Sequence, residues 1–235
     1  MRSALFLCFL LSAALLSHAQ SNPTNYPSIQ KYLSLRIYPR ETVDEHGGTD
    51  SLVVRTDLDG TYTMLMLDFP GAFAPVRKSM FDQWKKDAAE VFQVAQANVD
   101  SEKVSKVTKT FTLKSVEIEV NMLVDANYAA SYALDIAHNA PDLVGELGCV
   151  LAMPYKGLVT VCKIVKGDNL DWVKFIRLTQ PFIEKSYREQ PQPISDQYFW
   201  YYQGKFTRIG VYTDDQGVHH VAPPQGLADL LTPKP

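Results

Sequence analysis

Apolar and polar residues alternate in several short stretches of the chain, and this alternation predicts strands. Residues 33–38 form the first such stretch. Residues 52–56 and 61–69 flank an Asp59-Gly60 turn, which is typical of a hairpin. Residues 108–125 are also strand-like, with β-branched residues and apolar side chains at every second position. The pattern therefore predicts short strands that are joined mainly by local turns.

Other stretches have apolar residues at spacings of three and four, which predicts helices. Residues 79–98 show one continuous apolar stripe, with Ser79 as the expected N-cap. Residues 128–139 are helix-like as well. A further helix is expected from Asp168, and Pro181 is expected to kink or end it.

Two cysteines bracket another predicted hairpin. If Tyr155 and Lys156 form its two-residue loop, Cys149 lies directly opposite Cys162. Directly opposed residues can be close enough for a disulfide, and an exported protein meets an oxidising environment. A register shift of one residue would abolish this pairing, and two buried thiols are then the alternative. The sequence leaves both interpretations open.

The order of these elements predicts the fold class and the domain organisation. Strands occur in adjacent hairpins with helices inserted between them, which favours an α+β fold. We expect a largely antiparallel sheet with two to four helices packed on it. The predicted organisation is a signal peptide at 1–19, a flexible segment at 20–32, a single α+β domain at 33–225 and a C-terminal tail at 226–235.

The first nineteen residues have the three parts of a secretory signal peptide. Arg2 is basic, residues 4–16 are apolar, and residues 17–19 end in a small residue, which predicts cleavage between Ala19 and Gln20. The apolar run is shorter than the ~20 residues of a membrane-spanning helix. The mature chain is therefore expected to have no transmembrane segment and to be periplasmic or extracellular.

Composition and charge narrow the range of partners. Of the 235 residues, 46% are hydrophobic, which is enough for a sizeable core. The formal net charge is −3, and no block of basic residues occurs. This composition argues against nucleic acid and against an anionic membrane surface as partners.

The titratable residues do not form a recognised catalytic or metal-binding motif. The sequence has no G-x-S-x-G and no H-x-x-x-H or C-x-x-C spacing, so we predict no metal and no cofactor. The densest cluster is Asp214 with His219 and His220. Consecutive side chains of a strand point to opposite faces, so the two histidines are not expected to converge. These three residues are the candidates if the protein is a hydrolase.

The aromatic run at 198–202 is the candidate ligand-binding surface. On a strand, Tyr198, Trp200 and Tyr202 share one face, and such a face can stack against a glycan or a peptide. The alternative is a core strand between the sheet and a helix. The core interpretation is favoured because the residues that follow continue as an ordinary hairpin partner.

Three groups of residues resemble a known family. They are Phe81-Asp82-Gln83-Trp84 leading to Ala95-Gln96-Ala97-Asn98, Tyr128-Ala129-Ala130-Ser131-Tyr132 leading to Val150-Leu151-Ala152-Met153-Pro154, and Pro193-Ile194-Ser195-Asp196 followed by Tyr202-Gln203-Gly204-Lys205-Phe206. Together they resemble the YtpQ-like family of bacterial proteins, a domain of unknown function, over about residues 33–210. The resemblance implies no reaction, cofactor or catalytic residue. The family's typical member looks cytoplasmic, and the export signal of this chain departs from that pattern.

The sequence thus leads to two hypotheses about function. The first is an exported, non-catalytic binding or accessory protein of bacteria, whose partner could be a glycan or a peptide. The alternative is an exported hydrolase or metal-dependent enzyme whose site is assembled only in the fold. The absence of a sequence motif for catalysis favours the first.

Overall fold

The computed structural model describes residues 23–113, 116–167, 171–217 and 219–232. The predicted signal peptide and its cleavage site at Ala19 and Gln20 lie outside these residues. None of the helices in the described ranges combines the length and the apolar character that a bilayer crossing requires.

The described residues form eleven strands. In chain order they are β1 (Leu33–Pro39), β2 (Val54–Arg55), β3 (Thr61–Phe69), β4 (Ala72–Pro75), β5 (Ser105–Leu113), β6 (Val116–Val124), β7 (Cys149–Tyr155), β8 (Leu158–Lys163), β9 (Tyr198–Tyr202), β10 (Lys205–Thr213) and β11 (His219–Ala222).

The strands make two antiparallel sheets. The small sheet has the order β1-β3-β2, and β4 also pairs with β3. The large sheet has the order β11-β10-β9-β7-β8-β6-β5. The predicted α+β class with an antiparallel sheet is confirmed, although the strands divide between two sheets.

Helices lie between and against the sheets. They are α1 (Tyr26–Ile29), α2 (Arg40–Asp44), α3 (Gly48–Ser51), α4 (Lys78–Trp84), α5 (Ala88–Asp100), α6 (Ala129–Tyr132), α7 (Ile136–Asn139), α8 (Asp171–Glu189) and α9 (Gln225–Leu231). Short 3-10 turns occupy Gln30–Tyr32, Ala133–Asp135 and Pro141–Leu143. The helix α5 packs on the small sheet, and α8 packs on one face of the large sheet.

The central strand β7 is buried on both of its faces. Cys149 and Leu151 contact the core that α6 and α7 cover, whereas Val150 and Ala152 contact the core under α8. This explains why its residues are almost uniformly apolar instead of alternating, because both faces of the strand are removed from water.

The predicted helix over 79–98 is two helices. The helix α4 ends at Trp84, Lys85 adopts a left-handed conformation with φ 52°, and α5 begins at Ala88. Asp87 caps α5 by accepting hydrogen bonds from the backbone N–H groups of Ala89 and Glu90 at 2.8 and 3.2 Å. The apolar stripe continues across the break, which is why the spacing alone did not reveal it. By contrast, α8 continues through Pro181 to Glu189.

The predicted pairing of Cys149 with Cys162 is wrong by one residue. Cys149 pairs with Lys163, and Cys162 pairs with Val150, because the register shifts between Ala152 and Tyr155. The shift turns the two side chains to opposite faces of the sheet, where they join different core clusters. No disulfide joins them, and burial raises the pKa of the Cys149 thiol.

Both predicted loose ends contain packed residues. In the segment 20–32, Ile29 is fully buried in the core of the small sheet, and the carbonyl of Pro23 accepts a hydrogen bond from the Trp84 indole at 2.9 Å. In the tail 226–235, Leu227 of α9 is fully buried against the large sheet. Residues of both segments therefore pack against the cores of the sheets, and the division of the chain at residues 33 and 225 stays a prediction.

We expect the two cysteines to remain unlinked in the folded protein. Their side chains occupy opposite faces of the sheet, so no disulfide can form between them without a change of register. Alkylation of the denatured, unreduced protein, followed by peptide mass spectrometry, should recover both cysteine peptides alkylated. A peptide pair linked through Cys149 and Cys162 would contradict this structure and restore the predicted register.

Candidate functional site

The aromatic strand that was the candidate binding surface lies in the core. Tyr198 is fully buried, and its hydroxyl lies 2.7 Å from Oγ1 of Thr179 on α8. The Trp200 indole donates a hydrogen bond to the carbonyl of Leu147 at 2.8 Å. Tyr202 is half-buried and stacks on Trp200 with the ring centroids 5.1 Å apart. The core interpretation of this strand fits the structure, and Tyr198 and Trp200 offer no open stacking face.

The histidine cluster does not converge on one point. His220 Nε2 lies 2.7 Å from Oδ2 of Asp214, whereas His219 Nδ1 lies 2.9 Å from the hydroxyl of Thr213. His219 pairs across the strands with Thr213, and His220 pairs with Tyr212. Successive residues of β11 therefore use different neighbours. Within the described ranges, no group of three potential metal ligands occurs.

Polar side chains converge instead at the junction of the two sheets. On the small sheet, Arg36 in β1 is only 3% exposed. Its Nη1 donates a hydrogen bond to the carbonyl of Asn127, in the loop that leads from the large sheet into α6. The guanidinium lies 4.0 Å from the ring centroid of Phe73 and 5.2 Å from that of Tyr128. Burial lowers the pKa of Arg36, although Asp68 and Asp125 oppose that effect.

The acidic side of this junction is Asp68, at the end of β3. Its Oδ2 accepts a hydrogen bond from the hydroxyl of Tyr128. Burial raises the pKa of Asp68, the positive charge of Arg36 opposes that rise, and the negative charge of Glu102 adds to it. A carboxyl group whose pKa is raised in a cleft is a candidate for a functional role.

A turn after β6 presents the groups that meet Arg36 and Asp68. Asp125 Oδ1 accepts hydrogen bonds from the backbone N–H groups of Asn127 and Tyr128, both at 2.7 Å. Lys156 Nζ donates to Oδ1 of Asn127 at 3.0 Å. Burial lowers the pKa of Lys156, and the nearby Arg36 lowers it further. We call this junction of Arg36, Asp68, Asp125, Asn127 and Tyr128 the seam.

A cleft opens beside the seam at the start of β1. Its volume is about 140 Å³. Seven side chains in its lining carry polar or aromatic groups, and they are Lys31, Tyr32, Ser34, Asp68, Asn98, Glu102 and Tyr128. We call it the β1 cleft.

Ser34 distinguishes the β1 cleft from an ordinary surface depression. The residue is only 3% exposed, and its hydroxyl has no hydrogen-bond partner among the described residues. Buried polar groups in folded proteins are almost always paired, so an unpaired hydroxyl in a cleft wall indicates a group that a bound molecule could satisfy.

A second depression, of about 240 Å³, lies between β6 and β8. Glu119, Asn121 and Cys162 belong to its wall. In the part of the chain that the structure describes, none of its polar side chains is both buried and unpaired. It is larger than the β1 cleft but lacks the unsatisfied polar group that would point to a ligand.

Sequence reasoning missed this site. In residues 33–38 the polar positions alternate with apolar ones, so Arg36 reads as part of a solvated face. The Asp125-Ala126-Asn127 sequence is typical of an Asx turn, which was the one available local signal. Nothing in the sequence indicated that this turn would cover Arg36, because the two segments lie about ninety residues apart.

No protein-family model matches the chain, and neither a curated protein nor a solved structure does. The resemblance to the YtpQ-like family therefore stays a prediction.

We expect Arg36→Leu to destabilise the protein by about 3 kcal/mol. The substitution leaves the Asn127 carbonyl unpaired, and it removes the positive charge that interacts with the Asp68 and Asp125 carboxylates. The measurement is the free energy of unfolding in urea, followed by tryptophan fluorescence. Arg188→Leu is the matched control, because the Arg188 side chain is 67% exposed; its effect should stay within about 0.5 kcal/mol. Equal effects of the two substitutions would contradict the structural role of Arg36.

Two aspartates should give opposite pH dependences of stability. The folded-state pKa of Asp68 is raised above the ordinary 3.8, so its carboxyl favours folding while protonated and loses that contribution as the pH rises through the folded pKa. The hydrogen bond from Lys106 lowers the pKa of Asp142, so that contribution is present above the ordinary pKa of 3.8 and is lost as the pH falls through the folded pKa.

Urea unfolding of the wild type, Asp68→Asn and Asp142→Asn between about pH 2.5 and 7 measures these slopes. Relative to Asp68→Asn, the wild type should lose stability as the pH rises. Relative to Asp142→Asn, the wild type should gain stability as the pH rises. If the difference in unfolding free energy from the wild type varied with pH in the same way for both variants, the seam would not perturb Asp68.

Proposed function

We propose that this chain is an exported, non-catalytic protein that binds a small molecule in the β1 cleft. The observation that carries the proposal is the hydroxyl of Ser34, which is buried in the wall of the cleft and lacks a hydrogen-bond partner among the described residues. A bound molecule would supply the missing hydrogen bond. Such a site would consist of a few convergent polar groups around an aromatic lining, as small-molecule sites commonly do.

The size of the β1 cleft supports a small ligand. Its volume of about 140 Å³ is comparable to that of an engineered cavity of about 150 Å³ that accepts one benzene molecule. A ligand of roughly six non-hydrogen atoms is therefore the expected scale. A glycan or a peptide of several residues would have to place one terminal group there.

The export part of the proposal comes from the sequence. The basic start, the apolar run and the small residue at the predicted cleavage site are the features of a secretory leader. The mass of the native chain distinguishes a cleaved leader from a retained one.

Two observations bear on the alternative, an exported hydrolase. The predicted candidates Asp214, His219 and His220 hydrogen-bond within their own hairpin, and the two histidines use separate neighbours. Asp68, with its raised pKa, is the carboxyl in the β1 cleft that could serve as an acid or base. Binding is the better-supported function because the Tyr128 hydroxyl already occupies one oxygen of that carboxylate.

Substitution of two buried serines tests the proposal. Ser34→Ala removes an unpaired hydroxyl, so stability should stay the same or rise by up to about 1 kcal/mol, while ligand binding weakens. Ser131→Ala is the matched control, because the Ser131 hydroxyl donates to the carbonyl of Leu35 at 2.7 Å. This control should cost about 1–2 kcal/mol of stability and leave binding unchanged.

The binding measurement is an NMR screen of a fragment set that contains cationic, anionic and neutral polar molecules. We expect saturable shifts of amide signals from the residues of the β1 cleft, and we expect Ser34→Ala to reduce them. Shifts that map elsewhere, or no shifts in any charge class, would contradict a binding site here. Turnover of an ester, glycoside or peptide substrate that Asp68→Asn abolishes would replace the binding function with the hydrolase.

A further inference from the structure

We propose that the ligand of the β1 cleft is a small organic cation whose ammonium group sits between the Asp68 and Glu102 carboxylates. This inference rests on the proposed binding function and specifies its chemistry. It follows from the charges in the lining, from the aromatic rings beside them and from a cation that the protein already places there.

The carboxylates come from two separate parts of the fold. Asp68 ends β3, and Glu102 lies just beyond the end of α5, yet both belong to the lining of the same cleft. Burial is the main cause of the raised pKa of Asp68, the positive charge of Arg36 opposes it, and repulsion from Glu102 adds to it. An arriving cation relieves that repulsion, whereas an arriving anion would add to it.

The aromatic rings favour an organic cation over a metal ion. Tyr32 and Tyr128 both line the cleft, and the ring of Tyr32 packs on Phe69 with centroids 5.0 Å apart. Aromatic faces attract ammonium groups but are not ligands for calcium or magnesium, which require about six oxygen atoms. Among the described residues, no group of three His, Cys, Asp or Glu side chains that could hold a metal ion occurs, here or elsewhere.

Lys31 shows which chemistry this lining accepts. Its Nζ lies 4.8 Å from the centroid of the Tyr32 ring, in the lining of the same cleft. The protein thus already places an ammonium group against one of the two rings. An external ammonium between the carboxylates would be repelled by the like charge of Lys31 in the same lining, so removal of the lysine charge should strengthen binding.

The Ser34 hydroxyl provides the remaining polar contact. It is buried, and no described residue hydrogen-bonds to it. A hydroxyl oxygen can accept a hydrogen bond from an ammonium N–H, which leaves the two carboxylates to balance the charge. The proposed cation would therefore contact the carboxylates, an aromatic ring and the Ser34 hydroxyl.

The test uses three probes of equal chain length at constant ionic strength, namely n-butylammonium, 1-butanol and butyrate. The readout is the dissociation constant from NMR titration of the amide signals of residues 31–34 and 98–102. We expect n-butylammonium to bind at least about fivefold more tightly than 1-butanol. Calcium chloride is the fourth arm, and tighter saturable binding of calcium at the same signals would replace the organic cation with a metal ion.

Charge substitutions then test the sign of the interaction. Asp68→Asn and Glu102→Gln should each weaken n-butylammonium binding, Asp68→Asn by about tenfold. Lys31→Met should strengthen it by about threefold. Glu189→Gln is the control, because the Glu189 side chain is 60% exposed and pairs with Lys185 in α8; it should leave the dissociation constant unchanged. Lys31 and Glu102 are exposed, so these two variants should fold even if Asp68→Asn does not.

The outcomes separate this inference from the proposed function. If butyrate binds most tightly at these signals, and Lys31→Met weakens its binding, the ligand class is wrong but the β1 cleft remains a binding site. If 1-butanol binds as well as n-butylammonium, the charge argument is wrong in the same way. If no probe or fragment shifts these signals, both the ligand class and the proposed function are overturned.

Discussion

Burial of the Arg36 guanidinium removes a cation from water, and the contacts around it hold the two sheets together. The effective desolvation penalty for such an ion is several kcal/mol. The hydrogen bond to the Asn127 carbonyl offsets about 1.5–3 kcal/mol of it, and contact with each of the rings of Phe73 and Tyr128 offsets about 0.5–2 kcal/mol. Arg36 and Phe73 belong to the small sheet, whereas Asn127 and Tyr128 follow β6 of the large sheet. The buried charge is therefore stabilised only when the two sheets pack against each other.

The free edge of β1 also contributes to the attachment of the small sheet to the rest of the fold. β1 pairs with β3 on one side, and no described strand pairs with its other side. Side chains bind backbone carbonyls of β1 instead: Ser131 donates to the carbonyl of Leu35 at 2.7 Å, and Asn98 donates to the carbonyl of Leu33 at 2.8 Å. An unprotected strand edge invites pairing with another chain. Here the edge is used to attach α5 and α6 to the small sheet.

The sequence predicted the elements that depend on local pattern and missed those that depend on distant contacts. The α+β class, β1 and β3 follow from alternation and turn chemistry, and the structure contains them. The cysteine pairing failed because a shift near Ala152 moves the register by one residue, and no local pattern marked that shift. The prediction of one helix over 79–98 failed because the left-handed conformation of Lys85 interrupts the helix without interrupting the apolar stripe.

The candidate site was out of reach for the same physical reason. Ser34, Asp68, Glu102 and Tyr128 come from four separate segments, and none of them belongs to a motif. The aromatic strand at 198–202 was visible because its residues are consecutive, but it supplies apolar area to the large sheet. A cluster of residues that are adjacent in sequence is easily recognised, whereas a polar site built from distant segments forms only when the sheets pack together.

Ligand binding and the attachment of the sheets should therefore be coupled. Asp68 accepts a hydrogen bond from Tyr128, which also contacts Arg36, so the carboxylate belongs to the seam and to the β1 cleft at once. Any ligand that binds the folded state alone raises the free energy of unfolding according to its concentration and affinity. A cation beside Asp68 would in addition relieve the unfavourable ionisation that burial imposes on that carboxyl. The gain in stability from such a ligand should then grow as the pH rises through the pKa of Asp68, because the charge it neutralises is present only above that pKa.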